Sequence, residues 1–189
     1  SLAIMNEIFK HPGFDSKKYQ LLNMFTQIFI KILENKKISS FIKVLNIILE
    51  YDEKHEHLIK MNELLPNGKT FFTIIESDFN EISKLVNFLI EKGCDPNKPD
   101  KNNIYPLEKS IEISSIDYFT ILLNSGLIRY NECEKGYLNI AASYLNVEYL
   151  KLLLEKIDIN STNSNGETAL FEACKYGNIS AINILFQHN

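Results

Sequence analysis

Tryptophan is absent from the 189 residues, and glycine (seven), proline (five) and cysteine (three) are scarce. So little Gly and Pro leaves too few tight turns for a chain of many hairpins, whereas abundant Leu, Ile, Lys, Glu and Asn favour helices; an all-α fold is expected. Cys94, Cys133 and Cys174 are odd in number and far apart, which argues against a disulfide framework and for a reducing, intracellular and cytoplasmic setting. Twenty basic residues against 24 acidic ones give a formal charge of −4, so no broad positive field exists to release counterions from a phosphate backbone, and nucleic acid is not expected as a partner. The longest apolar stretches, such as Ile28 to Leu33, fall far short of the roughly 18 residues that cross a bilayer, and no signal-peptide layout opens the chain; membrane insertion is not expected.

What remains, 45% apolar and 23% charged residues, is the composition of an ordinary globular domain, not of a disordered or collagen-like chain. A single arginine, Arg129, and 21 asparagines read as the codon bias of an AT-rich genome; if such a source delivers the protein into a host cell, the host cytoplasm is again reducing. The chain opens on Ser1 and closes on Asn189 within an apolar helical pattern containing Ile182, Ile184, Leu185 and Phe186. Further repeats or another domain are therefore expected after it, because terminal repeats normally turn a polar face outward.

Self-similarity organises the second half. Phe72, Leu107, Leu138 and Leu170 are separated by 35, 31 and 32 residues, and around each the same order recurs: a polar turn, a short helix, a break, a longer Leu- or Ile-rich helix, a loop. In the last unit Thr168 is placed to cap a first helix whose Ala169, Leu170, Ala173 and Cys174 form one small apolar face, and Gly177 to end it in the left-handed conformation. Gly93 and Gly126 follow the second helices of their units, and the loops end in Asn97, Asn131 and Asn160. A stripe such as Leu150, Leu152, Leu153 and Leu154 is too broad for one partner helix to cover, so the units must stack.

Period, layout and signature residues together resemble the ankyrin repeat, with its T-P-L-H-x-A turn and helix and its G-A-D-x-N loop. The matching residues are Thr168-Ala169-Leu170-Phe171-Glu172-Ala173, Tyr105-Pro106-Leu107, Ala141-Ala142, Gly93-Cys94-Asp95-Pro96-Asn97 and Asp158-Ile159-Asn160. The resemblance implies a single solenoid domain of stacked helix-turn-helix units over residues 67–99, 100–131, 132–160 and 161–189. Residues 1–18 are expected to be the end of a repeat, and 19–66 a diverged helical repeat with an extension. Within that stretch, Tyr19 to Glu34 and Ile38 to Tyr51 are helix candidates, and Asp52 to Pro66 is expected to hold an inserted or extended helix.

Two departures from the pattern bear on geometry. The family's His after Leu is replaced by Thr73, Glu108, Asn139 and Phe171, so the hydrogen bonds that join neighbouring turns must be rebuilt or lost. Ile157 stands where Gly is expected, in a loop one residue short.

No phosphate-binding glycine loop, nucleophile elbow or zinc-helix motif occurs, and neither an enzyme nor a cofactor is expected. His55 and His57 are about 200° apart on a helix and lack further ligands, so they read as a solvated face, as do Glu53, Glu56, Asp78 and Glu81 among their lysines. Cys94 and Cys174 occupy positions where the family places Ala, which implies small buried apolar residues rather than a catalytic thiol.

What the resemblance implies about function is a non-catalytic module that binds a protein partner on its concave face. Carried over unit by unit, its partner-binding positions are Lys69, Ser77 and Asp78; Lys101, Ile104, Glu112 and Ile113; Lys135, Ser143 and Tyr144; and Ser164, Glu167, Lys175 and Tyr176. Ile104, Ile113, Tyr144 and Tyr176 are the expected anchors, although Ile113 and Tyr144 equally fit a role filling space between units. The alternative is a regulatory or targeting segment of a larger enzyme, channel or secreted effector whose catalytic domain lies elsewhere.

Overall fold

The computed structural model describes residues 26, 27, 30, 31, 38–54 and 60–188. Its helices, in chain order, are α1 (Ile38–Lys54), α2 (Ile82–Glu91), α3 (Pro106–Glu112), α4 (Ile116–Asn124), α5 (Tyr137–Ser143), α6 (Glu148–Leu154), α7 (Ala169–Lys175) and α8 (Ile179–Gln187), with a short 3-10 turn over Tyr130–Glu132. The described residues contain no strand, only an isolated bridge between Thr162 and Thr168.

Two layers result from the alternation of inner and outer helices. The short α3, α5 and α7 lie side by side, and each packs on the helix that follows it; α1, α2 and α4 line up behind them. Among the described side chains of α1, Ile38, Leu45 and Leu49 are buried at helical spacing, and α1 packs on α2, whose buried residues include Ile82, Leu85, Val86 and Leu89. Phe119 of α4 and Tyr149 of α6 meet edge to face with ring centroids 4.9 Å apart, and continue the outer layer.

Local signals set the helix ends. Thr168 accepts a hydrogen bond from Phe171 N–H, Ser115 from Tyr118 N–H and Asn178 from Ala181 N–H, each satisfying an amide that the helix leaves unpaired. Gly177, at φ +64°, closes α7 with a bond from its N–H to Cys174 C=O and a second from Asn178 N–H to Ala173 C=O. Ile157 does not take the left-handed conformation of Gly93 and Gly126; α6 ends instead with Lys156 and Ile157 N–H both directed at Leu153 C=O.

The first unit departs from expectation. In place of a short helix, Phe71–Ile74 make a single turn. Thr70 and Thr73 explain it: each hydroxyl oxygen accepts the other's backbone N–H, at 3.0 and 2.9 Å, a local alternative to the helical ladder within a run of β-branched and aromatic residues. The Phe72 carbonyl accepts Ile75 N–H within the turn at 3.2 Å and also the buried Tyr118 hydroxyl at 3.0 Å. The two additional residues before α2 are absorbed by Glu81, which stands at φ 77° at the helix N-terminus without a side-chain cap.

Toward the N-terminus, α1 covers the Ile38–Tyr51 candidate and runs on to Lys54; of the inserted or extended helix expected in Asp52 to Pro66, residues 55–59 lie outside the described residues and 60–66 form turns and loop. Residues 1–25, with the expected end of a repeat, lie outside the described residues, as do His55 and His57; of Tyr19 to Glu34 only 26, 27, 30 and 31 are described, all helical. At the other end Leu185 is buried and Ile182 and Ile184 half-buried, while Phe171, Ile179 and Phe186 are exposed.

Candidate functional site

The short helices and the turns before them form a face of their own. Turn tips are tied together by backbone hydrogen bonds from Lys101 N–H to Gly68 C=O and from Ser164 N–H to Glu134 C=O, both 2.8 Å. The positions that lack the family's His rebuild two further links. Asn139 donates from Nδ2 to Glu167 C=O in the next unit at 2.8 Å, and Glu108 accepts from Lys135 Nζ of the next unit at 2.6 Å. Thr73 is spent on Thr70, and Phe171 is exposed.

Between α3, α5 and α7 lies a groove of about 510 Å³. Seven of the expected positions line it: Lys135, Ser143, Tyr144, Ser164, Glu167, Lys175 and Tyr176. Tyr144 and Tyr176 are the C-terminal caps of α5 and α7, and both line the groove. Tyr176 is 62% exposed, whereas Tyr144 is half-buried against the core.

The remaining positions are placed elsewhere. Asp78 borders a separate concavity with Phe79, Glu81 and Asp117, and its Oδ1 accepts from Ser115 Oγ at 2.7 Å. Lys69 pairs with Glu76, and Glu112 with Lys109 at 3.1 Å. Lys101 and Ser77 are exposed, while Ile104 and Ile113 are half-buried rather than open anchors, Ile113 packing against the core.

Residues that repeat arithmetic did not single out as lining the groove include Asn103, Glu108, Glu134, Asn139, Asn163 and Glu172. Glu108 and Asn139 carried a signal, since both replace the family's His; Glu172 stands at the variable position of the turn-helix signature and carried none. Its side chain is 11% exposed, with Oε1 3.1 Å from Lys175 Nζ and Oε2 without a hydrogen-bond partner.

The charges act on one another across this face. The Glu172 carboxylate holds the Lys175 ammonium above the ordinary lysine range. Burial would lower Lys135, but its hydrogen bond to Glu108 and the attraction of that carboxylate together outweigh burial and raise it. Burial first, then the Glu112 and Glu108 carboxylates, push the Tyr144 phenol up.

Cys94 is buried as expected, and burial pushes its thiol up to about 12; Cys174 is exposed, contrary to expectation, because it lies on the outer side of α7 from Ala169 and Ala173. Among the described residues no cluster of three His, Cys, Asp or Glu is placed to hold a metal, and no helix is long and apolar enough to cross a membrane.

Stacked helix-turn-helix units with tied turn tips and a groove along the short helices define a helical-repeat protein. A family model of ankyrin repeats in three copies matches residues 73–163 and 127–189, and the chain belongs to the ankyrin repeat family, whose members are generally protein–protein interaction modules. It is 32% identical over 113 residues to an ankyrin repeat protein of Acanthamoeba polyphaga mimivirus, covering 58% of this chain and 11% of that one. An ankyrin repeat protein of Fowlpox virus (strain NVSL) is 32% identical over 100 residues, covering 52% of this chain and 71% of the relative.

Proposed function

We propose that the chain is a non-catalytic interaction module that holds a protein partner against the turn tips and short helices, with the groove between Tyr144 and Tyr176 as its centre. The observation that carries this reading is the convergence of Lys135, Ser143, Tyr144, Ser164, Glu167, Lys175 and Tyr176, spread over forty-odd residues of sequence, on one concavity. Lys101, Ile104, Glu112, Ile113, Lys69 and Asp78, outside the groove, would serve as secondary contacts of a partner long enough to reach them. An exposed Tyr offers large contact area at low cost in side-chain entropy, the usual make-up of an interface anchor. The cytoplasm suits three free thiols.

The test is retention of partner proteins, identified by mass spectrometry, on immobilised wild type and on the Tyr144→Ala/Tyr176→Ala variant. Partners that bind the wild type are expected to be lost from the variant while its circular dichroism is unchanged. Partners retained by the variant but lost when exposed positions of the outer helices are changed would place binding on the opposite face and overturn the reading.

A second reading is a regulatory or targeting segment of a larger protein. It is favoured by the mimivirus relative, of which the chain spans 11%. A reading frame around this segment that encodes a catalytic domain would support it.

A further inference from the structure

Charge in the groove is unbalanced. Four carboxylates, Glu108, Glu134, Glu167 and Glu172, face two ammonium groups, Lys135 and Lys175. Lys135 is spent on Glu108 at 2.6 Å and Lys175 on Glu172 at 3.1 Å. Glu134 receives only the Asn103 carboxamide at 3.5 Å, and Glu167 the Asn163 carboxamide at 2.9 Å, so among the described residues neither meets a cation. A surplus of acidic residues is common on a protein surface. Glu172 adds something different: a largely buried side chain lining the groove, its Oε1 paired with Lys175 and its Oε2 without a hydrogen-bond donor. Leaving a buried acceptor of that kind unpaired costs free energy, which a donor brought by a ligand would recover.

From these contacts we infer that the groove takes a basic side chain of the partner, best an arginine, seated between Tyr144 and Tyr176 with its guanidinium directed at Glu167, Glu134 and the free Glu172 oxygen. The inference rests on the interaction reading above. A guanidinium brings five donors in one plane, enough for several acceptors at once, and its flat faces stack on tyrosine rings. Tyr176 already accepts a cation in this way, with Lys175 Nζ 5.4 Å from its ring centroid. Because Oε2 is closed to solvent, the Glu172 side chain has to shift toward the groove to meet the newcomer. An acidic segment would meet two uncompensated carboxylates without a free cation, and an apolar one would leave the buried oxygen unpaired.

The experiment is selection of random dodecapeptides displayed on phage against the immobilised protein, followed by affinity measurements on the synthetic peptides. Recovered peptides are expected to share a basic position. Replacing that residue by norleucine is expected to weaken binding about tenfold or more, and so is Glu172→Gln, whereas Glu155→Gln, exposed beyond α6, leaves it unchanged. The peptide-side substitution leaves the protein intact, so it decides the question even if Glu172→Gln perturbs folding. Peptides that need Tyr144 and Tyr176 but share no basic position would overturn this inference and leave the groove standing. Peptides indifferent to both tyrosines, or no peptides at all, would overturn both.

Discussion

The Asn97 side-chain oxygen accepts the backbone N–H of Arg129 at 2.7 Å, while its Nδ2 donates to Leu127 C=O at 2.9 Å, so one carboxamide reads out the loop of the following unit. The same latch occurs one unit earlier: Asn62 accepts Asp95 N–H at 2.6 Å and donates to Gly93 C=O at 3.0 Å. Asn131 and Asn160, although they end their loops in the corresponding way, are exposed and make no such pair among the described residues. The loop after α6 is the one that lacks Gly and a residue of length, and it does not bring a carbonyl and an amide opposite Asn131.

Asn97→Ala is therefore expected to destabilise the fold by about 2–3 kcal/mol, since it strands a buried donor and acceptor together. Asn131→Ala should stay within about 0.5 kcal/mol of wild type. Urea unfolding of both variants checks the contrast. Equal losses would mean that the latch is not what holds these loops.

Ser114 stands at φ 57° where the last unit has Gly177, and it closes α3 with the same bonds, Ser114 N–H to Ile111 C=O and Ser115 N–H to Ser110 C=O. A left-handed residue with a Cβ costs about 1–2 kcal/mol, of which glycine's extra chain entropy returns about half. Ser114→Gly is expected to raise the melting temperature by a few degrees and Gly177→Ala to lower it. Calorimetry of the pair provides the measurement.

The three thiols should separate by reactivity. Burial pushes Cys94 up to about 12 and Cys133 up to about 11, while Cys174 is exposed. At pH 8 a thiol with a value near 12 is thiolate in only about one molecule in ten thousand. A disulfide dye is expected to titrate one equivalent quickly in the native protein and three in denaturant; mass mapping should place the fast label on Cys174.

Acid should loosen the latch through Asp95. Burial pushes its carboxyl up, but the Asn97 amides and the Arg129 guanidinium, 2.9 Å away, outweigh burial and hold it below the ordinary aspartate range. A folded value below the unfolded one stabilises fully above the unfolded value, about 3.9, and the contribution disappears as pH falls through the folded value. Melting temperature is thus expected to drop below about pH 4, and the drop should be shallower in Asp95→Asn. An identical slope would sink the assignment.

How far the sequence could be read depended on the range of each interaction. Thr168 and Gly177 announce the start and end of α7 because capping and left-handed closure involve residues a few positions apart. The missing first helix around Phe72 was hidden because Thr70 and Thr73 each favour a turn only slightly, and Tyr118, 46 residues along, supplies the hydroxyl that makes the turn affordable. The family position of Cys174 implies a buried residue, but burial belongs to the side of the helix that faces a neighbour. Asn62 carries no sequence signal as the counterpart of Asn97, because no glycine or aspartate marks its loop.

By itself, then, the sequence determined an all-α chain of units some thirty-three residues long, their caps, their turns and their membership of a stacking family, since periodic apolar positions and turn residues act locally. The tertiary structure alone decided which polar atoms meet across units: Asn139 with Glu167, Glu108 with Lys135, Asn178 with the carbonyls of Ala142 and Tyr144, and Glu172 with an oxygen to spare. The physical reason is that a hydrogen bond is fixed to within tenths of an ångström by the stacking of two units, whereas repeat spacing specifies a position along the chain only to the nearest residue.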